Sequence, residues 1–183
     1  MVWINVTLPH QSQGSLADSY RKLGAPPAKP DQIILAHSER PHTLDGHMGL
    51  YRSVLHHSAN TVEAAFAEAI GVLVSQINGC DYCVAHHTRG LRRALNDEAR
   101  SEQWLEALQT GRLDEAFDAA QVLAIDYANR LTRSPAELSS DDIDQLRAVG
   151  WDDGQILEIN QIAAYFAYAN RTVLGLGVST EHE

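Results

Sequence analysis

Two cysteines three positions apart, Cys80 and Cys83, are followed by His87 four residues after the second and preceded by Glu68 twelve residues before the first. They are the only cysteines in the chain. A thiol pair at the start of a helix has a physical meaning. The unpaired N–H groups and the positive end of the helix dipole stabilise a thiolate and lower its pKa below the free value of ~8.5. Residues four apart share a helix face, so the His87 imidazole can take the Cys83 proton, as in other activated nucleophiles. Cys80, three residues back on the same side, reaches the Cys83 sulfur to close a disulfide. His86, three from Cys83, also faces that side. The pattern alone leaves open which sulfur attacks: His87 favours Cys83, while helix-start pairs elsewhere often use the first cysteine.

Glu68 is the only charged residue between Glu63 and Asp81. By helical projection it shares a face with Ala64, Gly71 and Ser75, and small residues at this spacing imply close approach of another helix. The Asn78-Gly79 break makes the helix of Cys83 and His87 the expected neighbour. Pairing residues about that break sets His87 opposite Gly71, about one turn from Glu68. A carboxylate there is buried, and a buried carboxylate must pair, hydrogen-bond or stay protonated.

The elements that position these groups all read as helices. An irregular arm spans 1–14, with Val2, Trp3, Ile4 and Val6 available to pack on a neighbour. A short helix over 16–23 carries a capping signature in Ser15 and Asp18. PPAKP (26–30) is a stiff connector. Further helices are expected over 31–39, from Leu44 to about His56, over 61–77 with a stripe of Val62, Phe66, Ile70, Leu73 and Ile77, and from Cys80–Asp81 to Leu95. Glu98–Thr110, a helix capped by Asp114 and ending near Arg133, one from Ser140 to Gly150, and one from Asp153 to Leu174 complete the set. No stretch alternates with period two, so the expected fold is all-α in a single domain: an arm, short helix and connector over 1–30, then a helical core over 31–183. Glu158 precedes Asn170 by the same twelve residues that separate Glu68 from Cys80. Two related halves would explain this, the second having lost its thiols and serving as scaffold.

The chain has 183 residues, 44% hydrophobic and 21% charged, a globular composition. Its net charge of −10 argues against nucleic acid and against an anionic membrane surface. No apolar run reaches the ~18 residues of a membrane span, and the N-terminus lacks a basic, signal-like start. The expected compartment is the cytoplasm, where a close thiol pair is catalytic or metal-binding rather than a structural staple. A zinc site would take Cys80, Cys83, His86 or His87, and Glu68, but such sites draw ligand pairs from separate segments and no second cysteine pair exists. No metal, flavin, haem or nucleotide cofactor is expected. The other histidines, His37, His42, His47, His56 and His57 among them, have no chemical spacing and read as packed or solvated.

The pattern Glu-x11-Cys-x2-Cys-x3-His and the run NGCDYCVAHH resemble the alkylhydroperoxidase D-like (AhpD-like) branch of the carboxymuconolactone decarboxylase family. The likeness extends to ILAHSERPHTLDGHMGLYRSVLHH upstream and LSSDDIDQLRAVGWDDGQILEINQIAAYFAYANRTVLGLGV downstream, together most of residues 30–178. It implies an all-helical fold and a homo-oligomer of dimeric, trimeric or hexameric type. It also implies a thiol-dependent peroxidase, with Cys80 and Cys83 as the redox pair, Glu68 and His87 as proton relay, and an external dithiol or redox partner protein as reductant. Two departures stand out. Tyr82 occupies a position where some peroxidase members have His between the cysteines, and TVEAAFAEA replaces the usual polar lead into the Glu68 helix. The alternatives are a disulfide reductase or dithiol carrier that never meets peroxide, and a zinc-stabilised helical interaction module.

Overall fold

A computed structural model of the chain describes residues 2–24 and 30–180. Among these, all regular structure is helical: α1 Gly14–Lys22, α2 Gln32–Ala36, α3 Pro41–Leu55, α4 Ala64–Ile77, α5 Asp81–Leu95, α6 Glu98–Thr110, α7 Ala119–Arg133, α8 Ser140–Ala148 and α9 Asp153–Gly175, with three short 3-10 turns. The all-α expectation is met. Of the connector PPAKP, only Pro30 lies within the described residues.

Helix α4 is the axis of the molecule. Every residue from Ala65 to Ser75 is buried, so the single stripe expected from the sequence understates it. Helices α5, α6, α7 and α9 surround it. Phe66, in its first turn, stacks on Trp151 (5.8 Å between ring centroids, 9° between planes) and meets Trp104 edge-on at 6.5 Å. A helix buried on all sides holds its neighbours by shape, and Glu68 is the charge inside this one.

Local chemistry explains the boundaries. Asp97 accepts from the Arg100 amide at 3.1 Å and opens α6. Asp152 and Gln155 form a reciprocal box at the start of α9. Two capping expectations are corrected. Residues 113–115 form a 3-10 turn, and α7 starts later, capped by Asp118, whose side chain accepts from the Gln121 amide at 2.8 Å. Ser15 does not cap α1, which opens at Gly14 after Gln13; Asp18 instead pairs with Arg21 at 2.6 Å.

The second Glu-x11 interval has a structural role of its own. Glu158 reaches back to α4 and accepts from the Thr61 and Val62 amides at 3.0 and 2.7 Å. It thus satisfies donors just ahead of the helix that carries Glu68. The N-terminal arm folds onto its own chain. The Trp3 amide donates to the Leu176 carbonyl at 2.8 Å, and Val2 packs on the cluster of Cys80, Cys83, Val173 and Val178. Among the described residues no helix is long and apolar enough to cross a membrane.

Candidate active site

The α4–α5 hairpin builds the site. Gly79, at φ +68°, sits in the left-handed region that a tight helix-to-helix turn requires and that L side chains avoid. Asn170 of α9 pins the turn. Its amide donates to Ser75 Oγ at 3.1 Å, and its oxygen accepts from Asn78 Nδ2 at 2.9 Å. Cys80 then occupies the N-cap of α5, and Cys83 lies in its first turn.

Both cysteines are free thiols, their sulfur atoms hydrogen-bonded at 2.9 Å. The two ionise as a pair. Cys80 is drawn below the ordinary thiol value, chiefly by the Cys83 thiol, with the Cys83 amide and Asn170 adding to this and burial opposing it. Cys83 is pushed up by the same hydrogen bond, by burial and by the neighbouring Cys80 charge. Ionisation therefore favours Cys80, whereas access favours Cys83. Cys80 is 0% exposed, while Cys83, at 4%, lines a cavity of about 350 Å³. Of the two, Cys83 is the one that reaches the cavity wall.

Glu68 and His87 line the same cavity. His87 Nδ1 and Glu68 Oε2 share a hydrogen bond of 2.7 Å, with the two side chains only 15% and 9% exposed. The expected Glu68–His87 pairing is thus present, and Nε2 is the ring nitrogen left for other chemistry. Phe166 meets the His87 ring edge-on at 4.4 Å and fixes its plane.

The reason these side chains meet differs in part from the expectation. The Gly71–Ser75 groove of α4 receives α9, not α5: a Cβ on Gly71 would lie 2.3 Å from the Phe166 ring, and Ser75 bonds Asn170. What lets α5 approach Glu68 is Gly90, where a Cβ would stand 2.6 Å from all three carboxyl atoms. Gly90 lies three after His87 and seven after Cys83 on one face of α5. A glycine inside a helix costs about 1 kcal/mol relative to alanine, so its presence there is a readable sign of close approach.

His86 does not share the Glu68 contact of His87. It lines the cavity with its ring 4.3 Å from that of Tyr82. His47, expected to be merely packed or solvated, also lines the cavity, as do Tyr51 and Tyr165. Burial raises both tyrosine hydroxyls above their usual range, so they stay protonated. The zinc alternative finds no support in the geometry: among the described residues no three His, Cys, Asp or Glu side chains converge as metal ligands would.

A helical domain in which a Cys-x-x-Cys pair opens one arm of the central hairpin, and a Glu–His bond ties the two arms together, has the AhpD-like architecture. Residues 41–129, from α3 into α7, match the carboxymuconolactone decarboxylase family. A peroxidase-related protein from Ralstonia eutropha JMP134, described as an alkylhydroperoxidase AhpD core, superposes with a TM-score of 0.83 at 18% identity, covering 99% of this chain and 93% of that one. A peroxidase-related protein from Silicibacter sp. TM1040 gives 0.76 at 24% identity, covering 97% and 91%. The debrominase Bmp8, in complex with 2,3,4-tribromopyrrole, gives 0.68 at 20% identity, covering 92% and 84%. Likeness at these identities establishes the fold. No curated protein matches the sequence.

Proposed function

We propose that the chain is a thiol-dependent peroxidase that reduces organic hydroperoxides through Cys83 and Cys80. The observation that carries this reading is the convergence of the Cys83 sulfur and the Glu68–His87 pair on one cavity, with the second thiol 2.9 Å behind the first.

The sulfur pair shares a proton. With that proton on Cys80, Cys83 is the thiolate at the cavity wall. It attacks the terminal oxygen of ROOH; the S–O bond forms, the O–O bond breaks, and RO⁻ leaves. His87 gives its Nε2 proton to the alkoxide, producing ROH, and takes a proton at Nδ1 from the Glu68 carboxyl. Cys83 is now a sulfenic acid. Cys80 attacks that sulfur, the S–O bond breaks, and the oxygen leaves as water once protonated, giving the Cys80–Cys83 disulfide. An external dithiol reduces the disulfide and is itself oxidised, closing the cycle.

The test is a panel of hydroperoxides and small disulfides added stoichiometrically to reduced protein, with free thiols counted before and after. One equivalent of hydroperoxide is expected to remove two thiols per chain and form an intramolecular disulfide. Thiols that survive every hydroperoxide but are lost to disulfides would make the chain a dithiol carrier instead.

Assembly into a homo-oligomer belongs to the same proposal. The side chains of Trp3, Leu50, Leu157, Tyr168 and Leu174 are large, apolar and exposed, an arrangement that association would cover. Light scattering at micromolar concentration is expected to give a multiple of the 20.1 kDa chain mass; a monomer would reject it.

A further inference from the structure

The chain has six tyrosines, and four have a hydroxyl with a partner. Tyr20 donates to the Thr7 carbonyl at 2.8 Å, and Tyr127 accepts from Asn160 Nδ2 at 2.7 Å. Tyr82 accepts from the Ile33 amide at 3.4 Å, and Tyr168 faces His37 Nε2 at 3.4 Å. The other two are Tyr51 of α3 and Tyr165 of α9. Neither hydroxyl has a hydrogen-bond partner among the described residues, and both side chains line the cavity that holds Cys83. Neither hydroxyl is sealed off. Among the described residues, His47 Nδ1 is the one side-chain polar atom that is both unpartnered and closed to water. The two tyrosine hydroxyls therefore open onto the space that their side chains line. Interior polar groups are almost always paired, so two that face one cavity without partners are donors awaiting an occupant.

Their surroundings differ. Tyr165 lies within reach of the Cys83 and Glu68 charges. Its ring is 5.3 Å from that of Phe166, which in turn meets His87 at 4.4 Å. Tyr51, its ring 6.0 Å from that of Tyr165, is influenced by Glu68, Asp31 and Arg93 instead. Tyr165 is thus the hydroxyl on the reacting side. Being held protonated, it donates a hydrogen bond without giving up its proton. The reaction has a use for such a donor. As Cys83 takes the terminal oxygen of ROOH, the electron pair of the O–O bond departs on RO⁻. That charge develops in a cavity walled partly by Ile33, Ile34 and Met48, where a fixed donor is worth more than in water.

We propose that Tyr165 is a catalytic residue: its hydroxyl donates a hydrogen bond to the departing alkoxide oxygen while the S–O bond forms at Cys83. Tyr165 keeps its proton, and RO⁻ becomes ROH with the proton from His87 Nε2. The inference rests on the peroxidase reading for the reaction and on the unpartnered hydroxyl for the donor.

The experiment uses Tyr165→Phe, which removes one oxygen atom that has no partner to lose. Its Tm is expected to match that of the wild type. A fall of more than about 4 °C would mean that the hydroxyl makes a structural bond, and would overturn the assignment. Thiol oxidation of both proteins is then followed with tert-butyl hydroperoxide, cumene hydroperoxide and peroxybenzoic acid. The first two release alkoxides, whose charge sits on one oxygen; the third releases a carboxylate, which spreads it over two. Tyr165→Phe is expected to slow the two alkyl compounds by about 10²-fold, as for loss of an oxyanion donor, and peroxybenzoic acid by less than about tenfold. A residue that only shapes the site would slow all three by the same factor. Calorimetric binding of cumyl alcohol, the unreactive product, reads the same contact without turnover and should weaken about fivefold in the variant. Equal losses across the three peroxides, no loss, or unchanged binding of the alcohol overturns the role of Tyr165. If the alcohol discriminates while every peroxide leaves the wild-type thiols intact, the Tyr165 contact stands and the peroxidase reading fails.

Discussion

Cys83→Ser is expected to abolish hydroperoxide-driven oxidation, with no residual loss of the remaining thiol. Cys80 has the lower pKa of the pair but no exposed surface, so ionisation without access leaves it unreactive toward peroxide. The reciprocal variant separates the roles. Cys80→Ser should still consume one equivalent of hydroperoxide, stop at the Cys83 sulfenic acid, and yield a dimedone adduct detectable by mass. It should also move the Cys83 titration, followed by thiolate absorbance near 240 nm. The first cause of the raised Cys83 pKa is its hydrogen bond with Cys80, and the Cys80 charge adds to it. Removing both lowers the pKa, while burial keeps it above that of a free thiol. Thiolate at Cys83 therefore forms at lower pH in the variant than the second ionisation of the wild type. If Cys83→Ser reacts at the wild-type rate, the attacking sulfur has been misassigned. If Cys83 titrates no lower without Cys80, the two sulfurs are not coupled.

The parts of this site that a reader can find in the sequence are those held by local spacing. Cys83 and His87 share a face because helices repeat every 3.6 residues, and Glu68 stands out because nothing charged surrounds it. The helices are legible for the same reason, and their ends shift by a turn where a cap competes, as Asp118 does with Asp114. What spacing cannot convey is which helix fills which groove. The small face of α4 is visible, but both α5 and α9 are candidates to fill it; only packing assigns Gly71 to Phe166 and Glu68 to Gly90. His47 is hidden for a related reason. It lies 33 residues before Cys80, and its place on the wall of the Cys83 cavity comes from tertiary packing, which one-dimensional periodicity does not register. Asn170 is intermediate. Its twelve-residue interval from Glu158 is plain, but the α4–α5 turn that it holds becomes evident only when α9 lies against α4.

Glu68→Gln is expected to slow thiol oxidation by roughly 10²-fold, the low end for general acid–base catalysis, with the helical fold intact. The amide keeps the shape and can still bond His87, but it cannot exchange a proton with Nδ1, so the imidazole loses its supply. His87→Ala should fall by a similar factor, since it cuts the same relay at the other side of the 2.7 Å contact. Gly90→Ala gives a third route to that phenotype without touching either group. The added Cβ would stand 2.6 Å from the Glu68 carboxyl, so the carboxyl must leave its place against His87. Alanine is also the better helix former by about 1 kcal/mol, which offsets part of the packing cost in α5. A variant with wild-type far-UV circular dichroism and a rate near that of Glu68→Gln is therefore expected. The double variant decides whether Gly90 acts through Glu68. If it does, Glu68→Gln with Gly90→Ala is no slower than Glu68→Gln alone, because residues acting as one unit are not additive. Multiplied losses would place Gly90 in a separate role. A wild-type rate and an unchanged pH profile in Glu68→Gln would remove the relay altogether and leave Glu68 as a buried structural partner of His87.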